Sequence, residues 1–280
     1  PLIRSTNLIW GAFIGILCMI ALYNLVLFYG LKERIFLIYI GYILSVLTMM
    51  SIVQGFGHYL FPNWLYHYLR LNVISLNYLT LTFAVLFALF FMNYHKQRTL
   101  IYRRCLYYVY LLFSLSAFST LISESIAAPI FFVAMSIAYP LCFYLLYKNY
   151  NSGNSGSALY IVSWIPLLIG GAIQPLELTD VIPYSFVVRN IFGVCIVFEI
   201  TLMAMALSER VRQQKEISLY NATHDLETGL PNHQILEERV EHQIQAQIST
   251  TLCLISVTGL NRLSPYLSEQ QSATLMEHFL

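Results

Sequence analysis

Three polar side chains interrupt long apolar stretches of this sequence, and each could bind a ligand or hold a proton. Asn24 lies in the stretch that begins at Leu8, whereas Arg189 and Glu199 lie in the stretch that begins at Tyr184. An ionisable group at the centre of a membrane-crossing helix costs about 2.5–3.5 kcal/mol on insertion scales. Such a group therefore normally faces water or the interior of a helix bundle. We take Asn24, Arg189 and Glu199 as candidate functional residues.

Asn24 and Glu199 occupy similar fractional positions along their apolar stretches, so we expect them at one depth and hydrogen-bonded if their helices touch. The alternative, which the sequence leaves open, is that Glu199 is neutral and is satisfied by another neighbour. Arg189 is about 15 Å from Glu199 along a helix, which is too far for a direct pair. We expect its side chain to extend to the membrane interface.

A second polar stretch, NATHDLETGLPNHQ at residues 221–234, carries two acids and two histidines. Gly229 and Pro231 predict a turn within it. The following residues, to about Gln247, have apolar side chains at helical spacing, which predicts an amphipathic helix. Thr250–Val257 is nearly all apolar and contains several β-branched residues, so a buried strand is predicted there. A helix followed by such a strand is typical of an α/β unit.

The composition indicates that most of the elements that carry these residues cross a membrane. Hydrophobic residues make up 58% of the chain and charged residues only 10%, whereas soluble domains are about half apolar and about a quarter charged. The net charge of +1 produces no broad positive field, so no nucleic-acid partner is expected. None of the five cysteines forms a C-x-x-C pair, and no metal ion or other cofactor is predicted.

Seven segments have the roughly 20 mostly apolar residues that a spanning helix needs. They are Leu8–Gly30, Ile35–Val53, Leu71–Met92, Cys105–Ile122, Ala127–Tyr147, Ala158–Gln174 and Tyr184–Leu207. The fourth and the sixth are the shortest. Seven such segments in one short chain cannot all be core helices of a soluble protein, so a seven-helix membrane bundle is predicted.

Lysine and arginine are distributed unequally between the loops on the two sides of this bundle. The richer side holds Lys32, Arg34, Lys96, Arg98, Arg103, Arg104, Lys148, Arg210, Arg212 and Lys215, and the poorer side holds Arg4, Arg70 and Arg189. Loops rich in basic residues normally stay in the cytoplasm. The N-terminus is therefore expected outside and the C-terminus inside, which an odd number of spans requires.

Three motifs in the apolar region resemble one family of membrane proteins. The run GILCMIALYNLVLFYGLKERIFLIYI (Gly15–Ile40) resembles the first span of bacterial seven-transmembrane receptors with diverse intracellular signalling modules, which has a similar G-x-L-x-x-x-A-L-Y-N pattern. GFGHYLFP (Gly55–Pro62) and GVCIVFEITLMAMALSERV (Gly193–Val211) are similar to two further landmarks of that family. The likeness extends from about Trp10 to Val211.

This resemblance implies a sensor in the bacterial inner membrane that passes an extracytoplasmic signal to a cytoplasmic output module. In such receptors an extracytoplasmic domain usually precedes the spans, and this chain begins with Pro1 rather than methionine, so a preceding segment is expected. Asn24, Arg189 and Glu199 become candidates for signalling. The expected partners are the lipid bilayer, an unknown extracytoplasmic ligand, and a second copy of the chain joined through the cytoplasmic region.

The polar stretch near the C-terminus carries a second resemblance. ATHDLETGLPNHQILEERV (Ala222–Val240) resembles the beginning of GGDEF domains, which usually reads close to H-D-x-L-T-G-L-P-N-R. Glu227 stands in place of the usual leucine and His233 in place of the usual arginine. The residues of the turn that match are Asp225, Thr228, Gly229, Leu230, Pro231 and Asn232.

The resemblance to GGDEF domains also implies a catalytic metal site, and this sequence departs from it. GGDEF cyclases usually have D-x-D-x-F-K just after the strand, where this chain has Ser256 and Thr258 for the two acids and Asn261 for the lysine. Hydroxyl groups are poor Mg²⁺ ligands compared with carboxylates, so a degenerate, non-catalytic module is predicted. Because degenerate GGDEF modules often precede a phosphodiesterase of the EAL type, such a domain is expected beyond Leu280.

Three other functions are alternatives to the receptor. A retinal protein needs a lysine within the membrane, and all four candidate lysines lie in loops or after the last span. A transporter stays open, because Gly170–Gly171 and Pro175 are expected to interrupt the sixth span, as broken helices do in transporters. An active diguanylate cyclase would need metal ligands that the sequence does not reveal.

The predicted fold is mostly α: a seven-helix transmembrane bundle followed by a truncated α/β GGDEF-like domain. The expected divisions are the end of an extracytoplasmic segment at residues 1–7 and the bundle at residues 8–210. A helical connector follows at residues 211–222. The first part of the GGDEF-like domain is expected at residues 223–280.

The distribution of basic residues makes the topology testable. Reporter fusions after Asn151 and after Lys215 should indicate a cytoplasmic location, and a fusion near Trp64 should indicate an external one. A cytoplasmic signal from the fusion near Trp64 would contradict the arrangement with seven spans.

Overall fold

A computed structural model describes residues 2–94, 100–150, 156–178, 185–225, 229–247 and 251 of the chain. These residues form helices and one isolated β-bridge between His224 and Pro231, and they contain no strand. The helices are α1 (Leu2–Leu31), α2 (Arg34–Val53), α3 (Gly57–Leu60), α4 (Asn63–Leu71), α5 (Val73–Phe91), α6 (Leu100–Phe118), α7 (Glu124–Tyr150), α8 (Gly156–Leu178), α9 (Phe186–Thr223) and α10 (His233–Gln245).

Each of the seven predicted spans coincides with a long helix, namely α1, α2, α5, α6, α7, α8 and α9. Five of them, α1, α2, α5, α7 and α9, are long and apolar enough to cross a membrane. The apolar part of α8 is shorter, at Ser157–Ile173, and α6 contains Arg103 and Arg104 near its start. The prediction of a mostly helical fold with several membrane-type helices is confirmed.

The C-terminal ends of α6 and α9 differ from those of the predicted spans. The helix α6 covers Leu100–Phe118 instead of extending to Ile122. After Phe118 the hydroxyl groups of Ser119 and Thr120 donate to backbone carbonyls three residues earlier, at 2.9 and 2.8 Å, which competes with continuation of the helix. The last long helix, α9, runs past the predicted end at Leu207 to Thr223.

The centre of the bundle is formed by α2 and α5. α2 packs against α1 and α5, and α5 also packs against α6 and α7. Tyr39, Ile43, Val46 and Met50 of α2 are buried, and their spacing of three or four residues places them on one side of the helix. Among the 18 residues of the most apolar stretch of each helix, 56% are buried in α2 and only 17% in α1, so most of α1 is left exposed to lipid.

Two glycines allow helices to approach each other closely. A Cβ atom on Gly41 would overlap the Phe83 ring of α5, and one on Gly170 of α8 would lie 2.9 Å from the Cβ of Cys195 on α9. Small residues commonly permit such contacts between membrane helices. The prediction that Gly170–Gly171 and Pro175 interrupt the sixth span is wrong, because α8 is continuous. Gly170 serves close packing instead of a break.

The chain divides into two compact units, Pro1–Arg210 and Val211–Leu280. In the second unit a turn follows the end of α9 and leads into α10. The predicted amphipathic helix after the turn is thus present, at His233–Gln245. The predicted strand Thr250–Val257 lies outside the described residues apart from Thr251, so the α/β character of this unit stays a prediction.

Candidate functional site

The helix α9 presents one continuous face to the interior of the bundle, and Glu199 lies on it. The side chain of Glu199 is only 2% exposed, as expected for a carboxyl group within a span. The other buried residues of α9 recur every three or four positions, which is the spacing of one helix face. Among the described residues they are Asn190, Gly193, Cys195, Ile196, Ile200, Met203, Ala206, Leu207 and Arg210.

A tyrosine of α2 is the hydrogen-bond partner of this carboxyl group. The hydroxyl of Tyr42 donates to Oε1 of Glu199 at 3.0 Å, and both groups are buried. One turn earlier on α2, the hydroxyl of Tyr39 donates to the backbone carbonyl of Ile200. Two adjacent turns of α2 are therefore bonded to two adjacent residues of α9, which fixes the relative height of these helices.

The second oxygen of the carboxyl group and a nearby tyrosine are not satisfied in the same way. Among the described residues, neither Oε2 of Glu199 nor the hydroxyl of Tyr160 on α8 has a hydrogen-bond partner, and both are buried. Ring contacts connect Tyr160 to Tyr39 through Phe87. Trp164 in turn contacts the rings of both Tyr160 and Tyr139, the latter on α7. We call Glu199, Tyr39, Tyr42, Tyr139 and Tyr160 the Glu199 cluster.

Aromatic rings of α5 enclose this cluster. The centroid of the Phe87 ring lies 5.0 Å from that of Tyr39 and 5.4 Å from that of Tyr160. The centroid of the Phe91 ring lies 4.8 Å from that of Tyr160. Hydrogen bonds are stronger in such an apolar environment, and an unpaired polar group is more costly. The cluster brings together groups from α2, α7, α8 and α9, and the hydrogen bond to the Glu199 carboxyl group comes from α2.

Asn24 does not pair with Glu199. Its side chain is 1% exposed, and its Nδ2 donates to the carbonyl of Ile20 on the same helix at 2.8 Å. No hydrogen bond joins the two residues, and Tyr42 takes the role expected of Asn24. A comparison of positions along the two spans does not identify Tyr42 as the partner. A tyrosine in the middle of a span nevertheless indicates a polar contact, because its buried hydroxyl needs a hydrogen-bond partner.

The remaining candidates are only partly described. The backbone of Arg189 is part of α9, but its side chain lies outside the described residues, so its extension to the interface stays a prediction. Thr228, Ser256 and Thr258 also lie outside them. No group of three or more metal-ligating side chains occurs within the part of the chain that the structure describes.

The turn of the second unit is built around Asn232. Its Oδ1 accepts from the backbone N–H groups of Gln234 and Ile235 at 3.1 and 3.3 Å, which caps the N-terminus of α10. Its Nδ2 donates to the carbonyl of Ala222, near the end of α9, at 2.7 Å. Gly229 has φ +68°, a left-handed conformation that glycine adopts without strain.

Backbone hydrogen bonds close the same turn. The N–H of Asp225 donates to the carbonyl of Leu230 at 2.8 Å, and the N–H of Asn232 donates to the carbonyl of Thr223 at 2.9 Å. The β-bridge between His224 and Pro231 lies between these two bonds. The described residues of the predicted turn thus hold the end of α9 next to the start of α10.

Comparison with known proteins identifies the bundle. A family model described as 7TM diverse intracellular signalling matches residues 6–210. The chain belongs to this family. The predicted membrane receptor with an intracellular signalling role is thereby confirmed, and the matched residues of this 7TM receptor include Tyr42, Glu199 and Arg210. No curated protein and no solved structure gives a significant match.

Removal of the Tyr42 hydroxyl should destabilise the 7TM receptor by about 1–3 kcal/mol, because the Glu199 carboxyl group then loses its donor. Tyr42→Phe and Glu199→Leu should be non-additive in a double-mutant cycle measured by unfolding in mixed micelles. Asn24→Leu is the matched control, and its effect should add to that of Glu199→Leu. The opposite pattern would make Asn24 the partner of Glu199.

Proposed function

We propose that this membrane receptor couples an extracytoplasmic signal to an output module of the cyclic di-GMP class in the bacterial inner membrane. The observation that carries the output part is the GGDEF-like turn at residues 225–232. Membership in the family supports the receptor part. The basic loops support a C-terminus in the cytoplasm, where such an output module would act.

The turn supports the proposal because the residues that resemble GGDEF domains are those that its geometry needs. Gly229 occupies a conformation with positive φ, in which other residues are strained. Asn232 caps α10 and also bonds to Ala222. Such a turn favours glycine at position 229 and asparagine at position 232. The resemblance to GGDEF domains is therefore supported by the local geometry as well as by the sequence.

The output module in this chain is proposed to be non-catalytic. Ser256 and Thr258 stand where the resemblance places the two Mg²⁺ carboxylates, and transfer of a phosphoryl group needs a cation that neutralises developing charge. The module would then serve as a regulatory spacer or as a contact with a second copy of the chain. An EAL-type phosphodiesterase beyond Leu280 would supply the enzymatic step.

The Glu199 cluster is the proposed switch in the membrane. A signal that moves α9 along or around its axis must break the bonds from Tyr42 and Tyr39 together, since both attach to neighbouring residues of α9. Changing a two-state equilibrium from 1:99 to 99:1 takes about 5.5 kcal/mol. Two buried hydrogen bonds, each costing about 1–3 kcal/mol when broken without replacement, contribute a substantial part of such a shift.

The output can be tested in cells that express the complete protein. Tyr42→Phe and Glu199→Leu should each change the cellular level of cyclic di-GMP relative to the unaltered receptor at equal expression. Tyr29→Phe is the matched control, because the Tyr29 side chain is 72% exposed and lies outside the cluster. A cyclic di-GMP level that is unchanged even when the receptor is deleted would refute this output.

The absence of cyclase activity has a direct test with the purified complete protein. Incubation with GTP and Mg²⁺ should release no pyrophosphate above background, because loss of one electrostatic stabiliser commonly costs about 2.7–4 kcal/mol of barrier. Pyrophosphate is measured because an EAL-type domain would hydrolyse any cyclic di-GMP formed. An active diguanylate cyclase in the same assay provides the positive control. Product formed at a rate well above background would overturn the assignment of Ser256 and Thr258.

A further inference from the structure

Arg210 is the last residue of the first unit, and its side chain turns into the bundle. It is 9% exposed. Its Nη1 donates to the backbone carbonyl of Phe90 at 3.0 Å, and its Nη2 donates to Oδ1 of Asn93 at 2.7 Å. Both acceptors lie at the C-terminal end of α5, so one guanidinium group of α9 binds the end of another helix.

The end of α5 is suited to a cation. The last carbonyl groups of a helix carry partial negative charge, and the Phe90 carbonyl, in the last turn, accepts from the N–H of Asn93 at 3.2 Å as well as from Arg210. Asn93 follows the helix with φ +56°, a conformation that asparagine tolerates better than most residues. The Phe91 ring lies beneath the guanidinium group, with its centroid 5.5 Å from Cζ, which adds a cation–π contact.

A second arginine, two positions later on the same helix, differs from Arg210 in its exposure. Arg212 is 66% exposed and pairs with Glu216 at 3.8 Å on the same helix. An arginine that only extends to lipid headgroups or solvent would have the exposure of Arg212. Arg210 is therefore directed at the end of α5.

The contacts of Arg210 connect with the Glu199 cluster through one ring. The Phe91 ring lies under the guanidinium group and 4.8 Å from the Tyr160 ring of the cluster. Glu199 and Arg210 lie on the same buried face of α9, about 16 Å apart along the helix axis. A movement of α9 that rearranges the cluster must therefore also alter the contacts of Arg210.

We propose that Arg210 is a positioning residue that sets the height and rotation of α9 against the end of α5 and thereby the resting output of the receptor. This rests on the proposed function, since it concerns how the bundle regulates the output module. When the guanidinium group is released from Phe90 and Asn93, the turn of α9 that contains Arg210 is no longer held against the end of α5.

The test compares two variants of the complete receptor in lipid nanodiscs. Arg210→Met keeps the apolar stem and removes the guanidinium group, and Arg212→Met is the matched control. Amide hydrogen exchange in residues 204–212 should become about tenfold faster in Arg210→Met and stay unchanged in Arg212→Met. Amide exchange in α2 should not change, which separates a local positioning role from a general loss of structure.

A third variant tests the specific contact. Asn93→Gly keeps the backbone conformation with positive φ without strain but removes the acceptor of Nη2. It should accelerate exchange in the same segment, and its effect should not add to that of Arg210→Met. The cellular cyclic di-GMP level should shift in Arg210→Met and Asn93→Gly but not in Arg212→Met.

The outcomes separate this inference from the proposed function. Equal exchange in Arg210→Met and Arg212→Met would overturn the positioning role, as would faster exchange throughout the bundle. A second outcome is that amide exchange changes only in residues 204–212 of Arg210→Met. If the cyclic di-GMP level then responds to Glu199→Leu but not to Arg210→Met, Arg210 does not control the output of the receptor. If cyclic di-GMP responds to neither substitution, the proposed output itself fails.

Discussion

Lipid offers no hydrogen-bond partners, and this constraint organises the bundle. Hydroxyl and amide groups can donate to a carbonyl of their own helix, as Thr82, Ser163 and Asn24 do. A carboxyl oxygen that must accept has no such option, because the backbone N–H groups within a helix are already used. Glu199 therefore depends on a donor from another helix, and Tyr42 supplies it.

Because of this dependence, a small number of polar groups determine the position of α9 in the bundle. The bonds to Tyr39 and Tyr42 hold it in the middle of the bundle, and those of Arg210 hold it at the end of α5. The face between these points is apolar, and apolar contacts lack the directional preference of hydrogen bonds. The helix can thus be retained by packing while its register is decided by polar contacts.

The sequence predicts the helices well and the site only in part, for a physical reason. Apolar runs report which segments enter a membrane, because length and hydropathy decide that. They do not report the rotation of each helix, which packing sets, so the pairing of Asn24 with Glu199 was wrong and Tyr42 was missed. Gly170–Gly171 suggested a break for a similar reason, since a glycine needed for close packing and one that ends a helix look alike in sequence.

The side chain of Asn232 serves the termini of two helices at once. Its oxygen accepts from the N–H groups that begin α10, and its nitrogen donates to the carbonyl of Ala222 near the end of α9. Serine, threonine and aspartate are good N-caps, but none offers both an amide oxygen and an amide N–H group. The range of residues tolerated at this position should therefore be far narrower than helix capping alone would allow.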